Sequence, residues 1–313
     1  MPRIAVILLL SLIICGCTNL INDMGVSEEV VNGFHVKWRS QISPKQKEVV
    51  YNILNNMVFV KGGVFTMGAT PEQTSYAREN EYPNIYVRLS DYYICKYEIS
   101  DEELLILLPS VKNYPATDST SLHVYPTRIN WETVVKILQD ITSLNFNFPT
   151  EAQWEYAARG GEYSKGYVYP GSNDLDEVWS SSYDKGSDVP NELGIYNMAD
   201  LKSEWCLDYY EEYTQTGLQD NRCVDDNVHK VEEDKFVVRG GNYRCSGKSE
   251  SYLQSPYSSI VHDSFGYFED ESRHGLNEPY DYRYCRTSAR SYCYDHGIGK
   301  HEISVRMVIN IKQ

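Results

Sequence analysis

From residue 43 onward the apolar positions fall into helical and strand-like periods. Ser43-Pro44-Lys45-Gln46 sets a serine at a cap, a proline at the first helical position and a glutamine at the third. It predicts a helix over 43–56 with Val49, Val50, Ile53 and Leu54 on its apolar face. Met57 to Gly68 (MVFVKGGVFTMG) reads as strand, Gly-Gly turn, strand, and so as a hairpin. Tyr86 to Tyr97 (YVRLSDYYICKY) predicts one strand, and the capping box Ser100-Asp-Glu-Glu103 predicts a short helix stopped by Pro109. Asn130 is predicted to cap a third helix, whose Trp131, Val134, Val135, Leu138 and Ile141 follow the 3.6 period. Thr150 to Gln153 opens a fourth helix, ended by Gly160-Gly161. Beyond Gly161 the periods dissolve into short aromatic strands and long Gly, Asp, Ser and Asn loops. The fold class predicted is α+β with low regular secondary structure. No internal repeat or flexible linker interrupts 57–313, which reads as one domain, and 17–42 reads as a polar tether ahead of it.

The N-terminal residues change the picture from fold to place. Arg3 precedes the unbroken apolar run Ile4 to Ile14, too short to cross a bilayer as a helix and of the length of a signal-peptide core. The run ends in Ile14-Cys15-Gly16-Cys17, a pattern resembling the bacterial lipobox. A signal peptide over 1–16 and a lipidated Cys17 are therefore expected, with an anchor in the bacterial cell envelope at the outer membrane or a periplasmic face. In that oxidising compartment Cys95, Cys206, Cys223, Cys245, Cys285 and Cys293 become disulfide candidates.

Charge narrows the partners. Twenty-nine basic against 44 acidic side chains give a net charge of −15 with no basic counter-patch, which argues against nucleic acid and anionic membrane surfaces as partners. The 27 tyrosines against eight phenylalanines suit both half-buried strands and wet contact surfaces. Tyr252, Tyr257, Tyr267, Tyr282 and Tyr284 crowd a Ser-, Asp- and Glu-rich stretch and form the candidate binding surface. The histidines show no metal spacing, and Cys293-x2-His296 is a weak zinc signal.

Several motifs in series carry a family resemblance: MVFVKGGVFTMG at 57–68, YYICKYEIS at 92–100, YPTRINW at 125–131 running into FPTEAQWEYAARGG at 148–161, GIYNMADLKSEW at 194–205, VVRGGNY at 237–243 and ISVR at 303–306. Together they resemble the formylglycine-generating enzyme family, also called the sulfatase-modifying factor domain. The resemblance implies an irregular α+β fold related to C-type lectins, with Trp154 and Trp205 in the core and Arg239 and Arg290 paired to buried carboxylates.

The resemblance also sets chemical positions to be checked one at a time. Family members that oxidise a sulfatase cysteine to formylglycine hold Cu(I) on two thiolates five residues apart. Here Cys245 stands in the first position, but Glu250 stands five residues on; if the register resumes after an insertion, the second position falls on Asp281. Cys285 is the possible relocated partner. A family calcium segment, Gly-Asn-Val-Trp-Glu-Trp, is replaced by Asp200-Leu201-Lys202-Ser203-Glu204-Trp205, so Glu204 keeps the carboxylate while the asparagine is lost. No cofactor is expected, with copper or calcium only where those family sites persist. The function expected is a non-catalytic binding or scaffolding module with a protein or glycan partner in the envelope. The alternatives are a copper-dependent oxidase built on Cys245 and Cys285, and a lectin-like protein displaying the tyrosine-rich stretch to a ligand.

Overall fold

The computed structural model describes residues 26–39, 41–111, 113–115, 122–124, 126–179, 186, 188–199, 202–213, 235–241, 285–294 and 303–311. Its first element is a hairpin, β1 (Val26–Val31) and β2 (Phe34–Arg39), paired antiparallel from Val26↔Arg39 to Val31↔Phe34. Asn32 and Gly33 turn it with φ of 47° and 84°, the doubly positive conformation that matches the twist of a two-residue hairpin. The tether expected over 17–42 is thus corrected for residues 26–39. Alternation puts Phe34, Val36 and Trp38 on one face, all buried, and that burial holds the hairpin against the domain.

Helix α1 (Pro44–Asn55) carries the Ser43/Gln46 capping box and buries Val49, Val50, Ile53 and Leu54. The hairpin expected over 57–68 does not form. β3 (Met57–Val60) and β4 (Val64–Met67) join different sheets, and the strand expected over 86–97 splits into their partners β5 (Ile85–Arg88) and β6 (Tyr92–Cys95). The cause lies at Gly62, where a Cβ would sit 2.3 Å from the Leu89 carbonyl oxygen. The chain crosses there between sheets, fixed by Leu89 N–H to the Gly63 carbonyl (2.8 Å) and Gly62 N–H to Asp91 (2.8 Å).

Helix α2 (Asp101–Leu107) starts at the Ser100/Glu103 capping box. A hairpin of β7 (Asn113–Pro115) and β8 (Leu122–Val124) precedes α3 (Arg128–Thr142). Thr127, not Asn130, caps α3: the Asn130 side chain reaches back to the Thr127 N–H at 2.9 Å as third residue of a capping box. After β9 (Phe146–Asn147) come the fully buried α4 (Glu151–Ala158) and the single turn α5 (Leu175–Val178). The remaining strands are β10 (Ser203–Tyr209), β11 (Lys235–Arg239), β12 (Ser291–Tyr294), β13 (Ile303–Ser304) and β14 (Val308–Asn310).

Two four-stranded sheets organise these elements, an antiparallel one in order β3-β6-β14-β9 and a mixed one in order β12-β11-β10-β13 whose β10–β13 pair is parallel. In the first sheet, alternation separates the two larger apolar clusters of the described residues. Tyr93, Ile309 and Phe146 line up across one face, toward the core shared with β1–β2, α1, α2 and α3, with Phe59 exposed on the same face at the edge strand. Val58, Ile94 and Val308 line up across the other, toward the core shared with α4 and the β4–β5 ribbon. The whole is the irregular α+β fold that the motifs imply.

Candidate functional site

The FPTEAQWEYAARGG motif becomes α4, a helix with no face to water, and its Glu151 and Glu155 must therefore be neutralised inside the protein. Arg290 grips Glu151 with two hydrogen bonds, Nε at 2.7 Å and Nη2 at 2.9 Å. Arg239 bridges both glutamates, its Nε donating to Glu151 at 2.9 Å and its Nη2 to Glu155 at 2.8 Å. The remaining guanidinium hydrogens of Arg239 reach the Tyr213 hydroxyl oxygen (2.8 Å) and the Ala289 carbonyl (3.0 Å). Arg159 completes the set by donating to Glu155 at 2.8 Å. Both arginines implied by the resemblance are thus found on buried carboxylates.

Electrostatics follow this geometry. Burial pushes the Glu151 carboxyl up, but the Arg290 and Arg239 guanidiniums overcome it and hold the group below the ordinary carboxylate range. Asp208 on β10 lies next to this cluster without an arginine of its own, accepting the Glu151 N–H at 2.7 Å. Burial, reinforced by the Glu151 charge, pushes Asp208 up to about 7. Cys206, two residues earlier, is a buried thiol that burial pushes well above its usual range.

The cluster fixes both ends of one long segment. β11 ends at Arg239, β12 begins at Ser291, and the two pair antiparallel with Val238 opposite Ser291. Residues 240 to 290 therefore leave and return at neighbouring positions, with Arg239 and Arg290 on the same glutamate. A second buried pair guards the returning end: Arg286 forms a two-toothed contact with Glu81, one arm at 2.9 Å, and Ser288 donates to the same carboxylate at 2.6 Å. The residues to which the sequence assigns chemistry, 245–284, lie in the chain between these two anchored ends.

Glu204 sits elsewhere than its family calcium role implies. Its carboxylate is fully buried and both oxygens are taken, by Arg306 Nη2 at 2.7 Å and Nε at 3.0 Å and by Trp154 Nε1 at 2.9 Å. Arg306 also binds the carbonyls of Cys95, Lys96 and Tyr196. A calcium ion requires free oxygen ligands, and here a guanidinium already neutralises the Glu204 carboxylate, so Glu204 as placed does not fit the ion, while Asp200 lies outside the described residues. Lys202 turns away to pair with Asp101 at 3.4 Å. Among the described residues no three His, Cys, Asp or Glu side chains gather as metal ligands.

The other sequence candidates separate. Cys285 is fully buried beside Tyr169, Val178 and Ala199. Cys17, Cys245, Tyr252, Tyr257, Tyr267, Tyr282 and Tyr284 lie outside the described residues. Sequence reasoning missed the Glu81–Arg286 pair, which no spacing could signal across 205 residues. It passed over Glu151 and Glu155 as well, although their four-residue separation puts both on one helix face.

Residues 43–267 match the profile of the sulfatase-modifying factor enzyme 1-like domain. Chaperone protein LppX of Paenibacillus barcinonensis is 27% identical, over 50% of this chain and 73% of its own length. The formylglycine-generating enzyme of Thermomonospora curvata is 23% identical, over 68% of this chain and 93% of its own. Among solved structures, PvdO from Pseudomonas aeruginosa shares the fold with a TM-score of 0.53, covering 82% of this chain and 94% of that one at 15% identity.

Proposed function

The chain belongs to the sulfatase-modifying factor enzyme 1-like family, and from that membership we propose that it works as a non-catalytic binding or scaffolding module, anchored in the bacterial cell envelope through a lipid on Cys17. The observation that carries this reading is a carboxylate, Glu250 or, if the register resumes after an insertion, Asp281, where the second copper thiolate of the family's oxidases belongs. One thiolate does not hold Cu(I) for oxygen chemistry. The burial of Cys285 in an apolar cluster supports it, because a reactive cysteine needs access as well as proximity. The contact surface is the stretch bearing Tyr252, Tyr257, Tyr267, Tyr282 and Tyr284, displayed from the Arg239/Arg290 stem toward a protein or glycan of the envelope. Tyrosine supplies large contact area at low entropic cost, and its ring stacks on sugars as readily as on peptide.

A copper oxidase is the second reading, favoured by Cys245 in the family's first position and by the likeness to a formylglycine-generating enzyme. One assay separates the two. The purified protein, reduced and supplied with Cu(I) and oxygen, is expected to leave a sulfatase-type cysteine peptide unchanged by mass spectrometry. Conversion of that cysteine to formylglycine, abolished by Cys245→Ser, would overturn the binding reading.

A further inference from the structure

The hairpin fixes how an anchored domain must sit. Reading 17–42 as tether would give 26 residue steps from Cys17 to the first helix, a reach of roughly 90 Å. The structure removes most of that length. Val26 is already the first residue of β1, opposite Arg39. Phe34, Val36 and Trp38 are buried, Asn32 bonds the Leu54 carbonyl at 2.8 Å, and Glu29 accepts from Trp38 at 3.0 Å and from Tyr51 at 2.8 Å. Only nine residue steps remain between Cys17 and Val26, at most about 30 Å when fully extended. A compact domain of this size has a diameter near 50 Å. A point held within about 30 Å of a bilayer cannot lie at the far pole of a body of that diameter, so the tethered end of the hairpin sits toward the bilayer.

We propose that the pole carrying the free ends of β1 and β2, with Lys37, Arg39 and Lys45, faces the membrane, and that α4 and the β4–β5 ribbon, across the first sheet from it, face away. This rests on the lipid anchor at Cys17 proposed above. Local charge fits the orientation although the chain as a whole is acidic. Residues 26–48 carry Lys37, Arg39, Lys45 and Lys47 against Glu28, Glu29 and Glu48, near neutrality where the full chain stands at −15. This pole is spared the repulsion that an anionic leaflet exerts on the rest of the molecule.

Lysine footprinting of the acylated protein in vesicles of phosphatidylethanolamine and phosphatidylglycerol tests it, with the soluble Cys17→Ser variant as reference. Lys37, Lys45 and Lys165 are all exposed; the first two belong to the hairpin pole, and Lys165 follows α4 by seven residues. Lys37 and Lys45 are expected to be modified several-fold more slowly on vesicles, with Lys165 unchanged. Inserting twenty Gly-Ser residues between Met24 and Gly25 should abolish that difference. Uniform labelling of the acylated protein, or protection that survives the insertion, overturns the orientation alone. Absence of an acyl chain on Cys17 by mass spectrometry overturns the anchor and the orientation together.

Discussion

The N-terminal hairpin and the stem of the 240–290 segment each fix a stretch of chain to the rest of the protein, yet they are held by opposite means. The hairpin's ion pairs all stand in solvent, Lys37–Glu28 and Arg39–Asp140 with side chains more than half exposed and Lys47–Glu29 at 34% and 41%, while burial falls to Phe34, Val36 and Trp38. In the stem the order reverses: Arg239, Arg290, Glu151 and Glu155 are all but inaccessible to water, and every one is paired. An Arg–carboxylate pair in water contributes about 0–1 kcal/mol. The same pair in the interior need not stabilise relative to an apolar core, but losing one member strands a charge. The contact type alone therefore says little; the depth decides whether it is dispensable.

Arg239→Ala should have the largest effect, because it leaves Glu151 and Glu155 short of a partner at once. A loss of about 3–5 kcal/mol is expected in chemical denaturation. A loss below about 1 kcal/mol would put the stem in the same class as the exposed pairs. Trp38→Ala should come next, at roughly 3 kcal/mol for the cavity and the lost burial. Its signature should be local, with amides of 26–39 exchanging faster while those of β10 and β11 keep their protection. Equal loss in both regions would mean that the hairpin and the stem unfold as one unit.

Much of this was legible in the chain, and the failures have physical causes. The capping boxes at Ser43, Ser100 and Thr150 located three helices, since a cap and its third residue interact locally whatever the fold does. The Met57–Gly68 stretch failed for the opposite reason. Strand partners are set by distant neighbours, and Gly62-Gly63 looks like a hairpin turn whether it turns the chain or lets it pass closely under Leu89. The Asn32-Gly33 turn was readable in the alternation around it and was lost in the polar composition of 17–42. Glu204 shows the limit of motif transfer: the residue is retained, but Arg306, a hundred residues on, decides what its carboxylate can bind.

The smallest expected effect also cuts most cleanly between the two regions. Asp208 has its carboxyl pushed up to about 7 by burial and then by Glu151, against 3.8 for the ordinary group. A carboxyl raised in the folded state favours folding only while protonated. Its contribution is present at acid pH and is lost as pH rises from about 4 through about 7. Glu151 runs the other way: the arginines hold it low, so its contribution is present above its ordinary value of 4.5 and is lost as pH falls further. Between about pH 4.5 and 7 the Asp208 trend should dominate, lowering stability by roughly 1–3 kcal/mol. Asp208→Asn keeps an acceptor for the Glu151 N–H and removes the proton, so its urea midpoint should stay level over that range. In the hairpin, Glu29 is exposed, with its pKa lowered by Tyr51 and Lys47, and gives no reason for a trend in the same window. Exchange at the hairpin amides, corrected for intrinsic base catalysis, should then be indifferent to pH while the β10–β11 amides lose protection. A level wild-type curve would mean that Asp208 stays ionised beside Glu151, with the nearby arginines compensating two carboxylates instead of one.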